Sequence, residues 1–227
     1  SADLILVTSP TTRAEFHALT SRPIEVITNG YDTENVVPQS LDSKFTVAHI
    51  GSFLSDRNPR ILWESLQELF QENPDFAADF ELKLIGKTSE EVLQSIADHQ
   101  LTSSLNNLGY VDHTTAVAHQ RKSQVLLLIE INSADTRSII PGKVFEYMVS
   151  GRPILAMGPK DSDFAPILQS TNTGVFFEYH EKEALKTTLL NWYRQYQKGN
   201  FKSNAVGLQQ YSRKNLTQQL VRVIEQL

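Results

Sequence analysis

The chain has 227 residues, 40% hydrophobic and 21% charged, the balance of a globular protein long enough to bury a real core. Its 21 basic and 26 acidic side chains give a net charge of −5, so no overall field draws in nucleic acid or anionic lipid, and any anion site has to be local. The lack of cysteine excludes disulfides, thiolate catalysis and cysteine-ligated zinc, and the longest apolar stretch, Val125 to Ile129, is strand-sized rather than membrane-spanning.

Leu4–Val7 reads as a buried strand, Thr11–Leu19 as a short helix started by Ser9-Pro10, and Ile24–Ile27 as a second strand closed by the turn Thr28–Asp32. Residues 33–43 have no period and read as a linker. A new unit opens with the strand Phe45–Ile50, a loop from Gly51 to Arg57, and a helix from about Pro59 to Gln71 with Ile61, Leu62, Leu66, Leu69 and Phe70 on one face. Then come a strand at Phe80–Ile85, a helix at Ser89–His99 capped by Ser89, a strand in Leu105–Val111 and a helix at Thr114–Lys122. Gln124–Ile129, the most apolar strand, is expected at the sheet centre. Lys143–Ser150 is helical, stopped by Gly151 and followed by the strand Pro153–Met157. The remaining units are a helix near Asp163–Leu168, a strand at Gly174–Phe177, and helices at Lys182–Gln197 and Ser212–Leu227. Strands separated by helices predict an α/β fold, a Rossmann-like parallel sheet with helices on both faces. Such sheets bind ligands at the carboxyl ends of their strands, where the strand order reverses.

Two segments can carry chemistry. Gly51-Ser-Phe-Leu-Ser-Asp-Arg-Asn-Pro59 joins a strand to a helix, a place where backbone N–H groups favour an anion. Gly51 allows close backbone approach, and Arg57 offers a fork for phosphate oxygens; the same loop also fits a plain connector with a solvated arginine. In the second segment, Pro141-Gly142 precedes a helix bearing Lys143 and, three residues on, Glu146. A cation for phosphate beside a carboxylate for paired hydroxyls suits a nucleotide sugar, although a surface Lys–Glu pair has the same spacing. The six histidines show no metal-ligand spacing, so no metal site is expected. His49, beside the first loop, is either a ligand contact or core. Trp63 and Trp192 read as packing anchors.

Several stretches carry a resemblance. Ala2-Asp-Leu-Ile-Leu-Val-Thr-Ser9, Val26-Ile-Thr-Asn-Gly-Tyr-Asp32, His49-Ile-Gly-Ser-Phe53 with Arg57-Asn-Pro59, Leu84-Ile-Gly86 and Leu108-Gly-Tyr-Val111 all contribute to it. The most specific are Pro141-Gly-Lys-Val-Phe-Glu-Tyr-Met148 and Ser150-Gly-Arg-Pro-Ile-Leu-Ala156. Together they resemble the C-terminal portion of retaining GT-B glycosyltransferases, a family that builds polysaccharides and lipid-linked glycans. The resemblance implies that residues 1–37 are the tail end of an N-terminal domain with its linker, and that 38–227 bind a nucleotide-diphosphate sugar. It implies donor contacts by Gly51, Ser52, Arg57, Asn58, Gly86, Tyr110, Val111, Ser138, Gly142, Lys143 and Glu146. That family's motif pairs two glutamates: the second falls on Glu146, for the ribose hydroxyls, whereas the first falls on Ser138. Asp135, Arg137 or Ser138 itself is then left to meet the sugar.

The resemblance also implies that no catalytic residue lies in this portion and that no metal cofactor is needed. It places the glycan or lipid-linked acceptor on a missing N-terminal domain, so this polypeptide alone transfers nothing. No nucleic-acid partner is expected. The N-terminus lacks a signal-peptide layout, so the expected location is cytoplasmic, with peripheral membrane contact open to the full-length protein. Ser1-Ala2 runs straight into strand-like sequence, as expected of a piece of a longer protein. Two other readings stay open: a nucleotide-sugar epimerase of the same fold, and a non-catalytic nucleotide-binding relative.

Overall fold

The computed structural model describes residues 2–32, 39–199 and 201–227; most of the expected linker, 33–38, lies outside the described residues. A small unit comes first: β1 (Ile5–Val7), α1 (Pro10–His17) and β2 (Ile24–Val26), with β1 and β2 paired in parallel. Ser9 caps α1 by accepting from the Thr12 N–H, and the proline after it occupies the first turn, where its missing N–H costs nothing.

The large sheet is parallel throughout and six-stranded. Its strands are β3 (Phe45–Ile50), β4 (Phe80–Ile85), β5 (Leu105–Gly109), β6 (Val125–Ile129), β7 (Ile154–Gly158) and β8 (Gly174–Glu178), in the spatial order β5-β4-β3-β6-β7-β8. The chain winds outward from β3 to β5, then returns to β6 on the other side of β3. The order therefore reverses between β3 and β6, and the crevice beyond their carboxyl ends is where such sheets bind ligands. Every residue of β3 and β6 is buried, the expected price of covering a parallel sheet on both faces.

The helices are α2 (Arg60–Glu72), α3 (Pro74–Asp79), α4 (Glu90–Asp98), α5 (His113–Lys122), α6 (Gly142–Met148), α7 (Ala165–Thr171), α8 (Lys182–Gln197) and α9 (Arg213–Ile224). Alternation along β3 sends Phe45 and Val47 into one core with Leu62, Trp63, Leu66 and Leu189, and Ala48 and Ile50 into a second with Val144, Phe145 and Tyr147. Phe45 anchors the first core, with ring centroids of Phe76, Phe80 and Tyr193 at 5.9, 6.4 and 5.7 Å, all edge-on. Each such pair contributes about 0.5–1.5 kcal/mol beyond the area it buries. Among the described residues no helix is long and apolar enough to cross a membrane.

Three details differ from the sequence expectation. Asn73 accepts from the Phe76 N–H and starts α3, a helix not among those expected. Pro59 sits at the cap of α2, not its first helical position, because a 3-10 turn at Ser55–Arg57 intervenes. The helix expected at Asp163 begins at Ala165, since Asp163 instead accepts the Thr11 N–H and hydroxyl, each at 2.9 Å. The C-terminal segment runs back to the first unit: Tyr31 and Tyr211 share a backbone bond of 3.1 Å, and Arg213 pairs with Asp32 at 2.6 Å.

Candidate functional site

Gly51 leaves the end of β3 at the reversal point. Its φ of +122° is a conformation that side-chain-bearing residues rarely adopt. Its N–H donates to the Ile85 carbonyl at 2.6 Å, and the Gly86 N–H donates to the Gly109 carbonyl at 2.7 Å, so the ends of β3, β4 and β5 are tied in a row. A Cβ on Gly86 would lie 2.5 Å from the Gly51 carbonyl oxygen. The two glycines allow backbone to press on backbone and leave room for another side chain over the start of the loop after β3.

Into this space α6 extends Lys143. Its ammonium donates to the Ile50 carbonyl. Burial lowers its pKa, the nearby Arg57 charge acts in the same direction, and Glu146 opposes both. From the following turn, the buried Tyr147 hydroxyl accepts the Ile50 N–H at 3.2 Å, and burial holds its pKa well above the usual phenol value. The last residue of β3 is thus fastened to α6 twice, by Lys143 and Tyr147.

Arg57 ends the 3-10 turn and donates to Oε1 of Glu130 at 3.3 Å. Glu130 directly follows β6; its side chain is only 3% exposed, and the same oxygen accepts the Ile131 N–H at 2.8 Å. The Tyr179 hydroxyl donates to the Glu130 backbone carbonyl at 2.8 Å. Sequence reading missed Glu130: it stopped the strand at Ile129, and the one available signal was a carboxylate ending the most apolar run.

His49 belongs to the core side of this wall. Nδ1 lies 3.2 Å from the Leu127 carbonyl and the ring centroid is 4.4 Å from that of Phe53, while Nε2 is buried without a partner among the described residues. Burial, with the positive charge of Lys143 next in size, lowers its pKa to about 4. The imidazole is therefore neutral near pH 7.

The other expected residues fall in several settings. Ser52 is exposed on the loop. Asn58 commits its Oδ1 to the indole N–H of Trp63 at 2.7 Å, which gives it a structural task. Gly142 opens α6, and a Cβ there would meet nothing within 4 Å. Ser138 is half-buried, just after the 3-10 turn Ala134–Thr136. Beside it, Arg137 reaches toward Glu15 of α1 at 4.0 Å, and its carbonyl accepts the Asp163 N–H at 2.9 Å. Glu146 is exposed and receives one long bond from Gln120, 3.4 Å; no ion pair joins it to Lys143. Val111 packs against the second core, whereas Tyr110 is 91% exposed. The structure therefore brings Gly51, Gly86, Arg57 and Lys143 together at the reversal point, with Glu146 one turn further along α6. It leaves Tyr110 and Asn58 without a demonstrated part in that group. Among the described residues no cluster of three or more His, Cys, Asp or Glu is placed to hold a metal ion.

Chemically, the crevice combines open backbone at Gly51, one half-buried ammonium and one guanidinium whose partner is a buried carboxylate. Two cations held within each other's field form a receptor for an anion richer in charge than one carboxylate.

Solved structures share the architecture. Anabaena HepE in complex with UDP and glucose is 18% identical, with a TM-score of 0.73, the match covering 100% of this chain and 64% of that one. A mutant of S. aureus TarM, in complex with fondaparinux, alpha-GlcNAc-glycerol and UDP, is 15% identical, with a TM-score of 0.68, covering 97% of this chain and 43% of that one. The lipopolysaccharide outer core galactosyltransferase WaaB in its apo form is 14% identical, with a TM-score of 0.67, covering 100% of this chain and 63% of that one. At these identities the likeness speaks for the fold alone, and the chain spans less than two thirds of the length of each. No curated protein matches the chain by sequence. The family described as glycosyl transferases group 1 matches residues 44–195, more than half of the chain, and the chain belongs to that family, with the Rossmann-like domain of a GT-B enzyme's C-terminal part.

Proposed function

We propose that the crevice beyond β3 and β6 binds the diphosphate of a nucleotide-sugar donor, for glycosyl transfer by the full-length protein to a glycan or lipid-linked acceptor. The supporting observation is that Lys143 lies over the backbone of Gly51, within the field of Arg57 on the same loop, at the point where strand order reverses. As the bond between the sugar and the diphosphate breaks, negative charge grows on the leaving phosphate. Cations already fixed in a partly dry site stabilise that charge without further reorganisation. In this reading they do so without calling on a divalent metal. Glu146, exposed and weakly engaged, takes the ribose hydroxyls and so positions the reacting carbon. Ser138, Asp135 and Arg137 lie on the loop that would face the sugar.

The acceptor belongs, on this proposal, to a preceding domain, so residues 38–227 bind donor and residues 1–37 lead in from that domain. The chain by itself transfers nothing. The full-length enzyme works in the cytoplasm, with any membrane contact made through the preceding domain. That HepE and the TarM mutant were each solved with UDP makes a uridine nucleotide the first to try.

The test is a thermal-shift panel of UDP, GDP, ADP and their sugars. Ligand at about 100 to 1,000 times its dissociation constant stabilises by roughly 2–4 kcal/mol. One base series is expected to stand out, with the sugar diphosphate and free diphosphate both active. A panel with no stabilisation at millimolar ligand would sink the proposal, and sugar transfer by this chain alone would refute its division of labour.

A further inference from the structure

β8 is the outermost strand of the large sheet on its side, and along it, on the face packed by α7, lies an open cavity of roughly 710 Å³. That size falls within the range of about 300–1,000 Å³ typical of small-molecule sites. It shares no residue with the crevice of Gly51, Arg57 and Lys143, and the donor reading makes no use of it.

Its wall changes character along the strand. At the carboxyl end stand three carboxylates, Asp161 and Asp163 from the loop after β7 and Glu178 from the end of β8. No lysine or arginine lines the cavity among the described residues. The imidazole of His180 lies 3.5 Å from Glu178 at the exposed rim, and Asp163 already accepts two bonds from Thr11. The acceptors left for a ligand are therefore chiefly Asp161 and Glu178. Four residues back along β8, about 13 Å at ~3.3 Å per residue, the wall ends in bare backbone at Gly174, with Pro166, Val175 and Phe176 on the way.

Between the two ends sits Ser162. It is 2% exposed and its hydroxyl has no partner among the described residues. That hydroxyl and the edge of the Phe176 ring each lie 3.0 Å from where a Cβ on Gly158 would be, so a polar and an aromatic group from two residues of the cavity wall adjoin. Buried hydroxyls are normally satisfied, and one that is not, beside a cavity, points to a ligand group that completes it.

We propose that this cavity is a second binding site, which takes an amphipathic organic cation. Its ammonium or guanidinium meets Asp161 and Glu178 and donates to the Ser162 hydroxyl oxygen, and its hydrocarbon or aromatic chain runs over Phe176 toward Gly174. Carboxylates in a cavity lined by no lysine or arginine favour a cationic head, and the apolar trough favours a chain rather than an inorganic ion.

The probe is 4-phenylbutylamine, with 4-phenylbutanol as the neutral counterpart, titrated into the ¹⁵N-labelled whole chain by NMR. Saturable shifts are expected at amides 161–165 and 174–178, with the alcohol at least about tenfold weaker. Glu178→Gln is expected to weaken the amine by about fivefold or more and leave the alcohol unchanged. Asp161→Asn, whose side chain tolerates the left-handed backbone at φ +59°, is the second variant and is expected to act the same way. Equal affinity for amine and alcohol, shifts centred elsewhere, or no saturable change up to about 10 mM amine would each overturn the proposal.

Discussion

A Cβ placed on Gly51 would fall 1.6 Å from the Nζ of Lys143, so the ammonium occupies the space that any side chain at position 51 would need. The glycine is thus required twice, once for its φ of +122° and once to leave room for the cation. Gly51→Ala is expected to cost about 1–3 kcal/mol of stability through backbone strain and to push Lys143 off the Ile50 carbonyl. Urea unfolding measures the first effect. The second is read as weakened nucleotide-diphosphate binding, and a variant as stable and as tight-binding as the parent would show that Lys143 does not depend on this gap.

The Arg57–Glu130 pair makes a different prediction. Removing a guanidinium leaves Glu130, 3% exposed, as a buried carboxylate with only the Ile131 N–H for support. A fully buried pair broken in this way loses about 3–5 kcal/mol; because Arg57 is 29% exposed, about 1–2 kcal/mol is expected for Arg57→Ala. Glu130→Gln in the Arg57→Ala background keeps the bond to Ile131 without the charge, and should recover most of that loss. It should not restore donor binding, which separates Arg57's part in the fold from its part at the ligand. Simple additivity in the double-mutant cycle would mean that the two residues are uncoupled.

His49 carries a pH signature. Its pKa falls to about 4 on folding, from an ordinary 6.5. Between those values the unfolded chain binds a proton that the folded one refuses, so stability rises with pH across this window and is lost as pH falls from 6.5 toward 4. The contribution is about 3 kcal/mol when fully developed. His49→Leu is expected to flatten the dependence of the urea midpoint between pH 4 and 6.5 relative to the parent. Parallel profiles for the two proteins would show that His49 is not held neutral by its surroundings.

Most of the scaffold was legible because each element solves a local problem. Phe45–Ile50 is mostly apolar and Phe80–Ile85 alternates apolar residues with Glu81 and Lys83, and both are strands with those limits. Ser89 sits where a helix lacks partners for its first N–H groups and caps as the sequence suggests, and Ser212 does the same for α9. The parts of the site that depend on distant partners were less legible. Glu130 matters through Arg57, 73 residues away, and neither residue's local pattern names the other. Lys143 was singled out as a cation near Glu146, but its partner is the Ile50 carbonyl, a choice that follows from α6 packing on the end of β3. Asn73 and Pro74 carry a helix start that is absent from the expected elements, and the helix it opens has only six residues before β4.

The central claim is that Lys143 and Arg57 read the diphosphate rather than the base. Calorimetric titration of the tightest of UDP, GDP and ADP, and of its parent nucleoside, into the native chain and Lys143→Gln tests it directly. The diphosphate is expected to lose about 10- to 100-fold in affinity in the variant, the worth of one charge-assisted contact, while the nucleoside is unaffected. Equal diphosphate affinity in the two proteins, or a nucleoside that binds the native chain as tightly as its diphosphate, would contradict it.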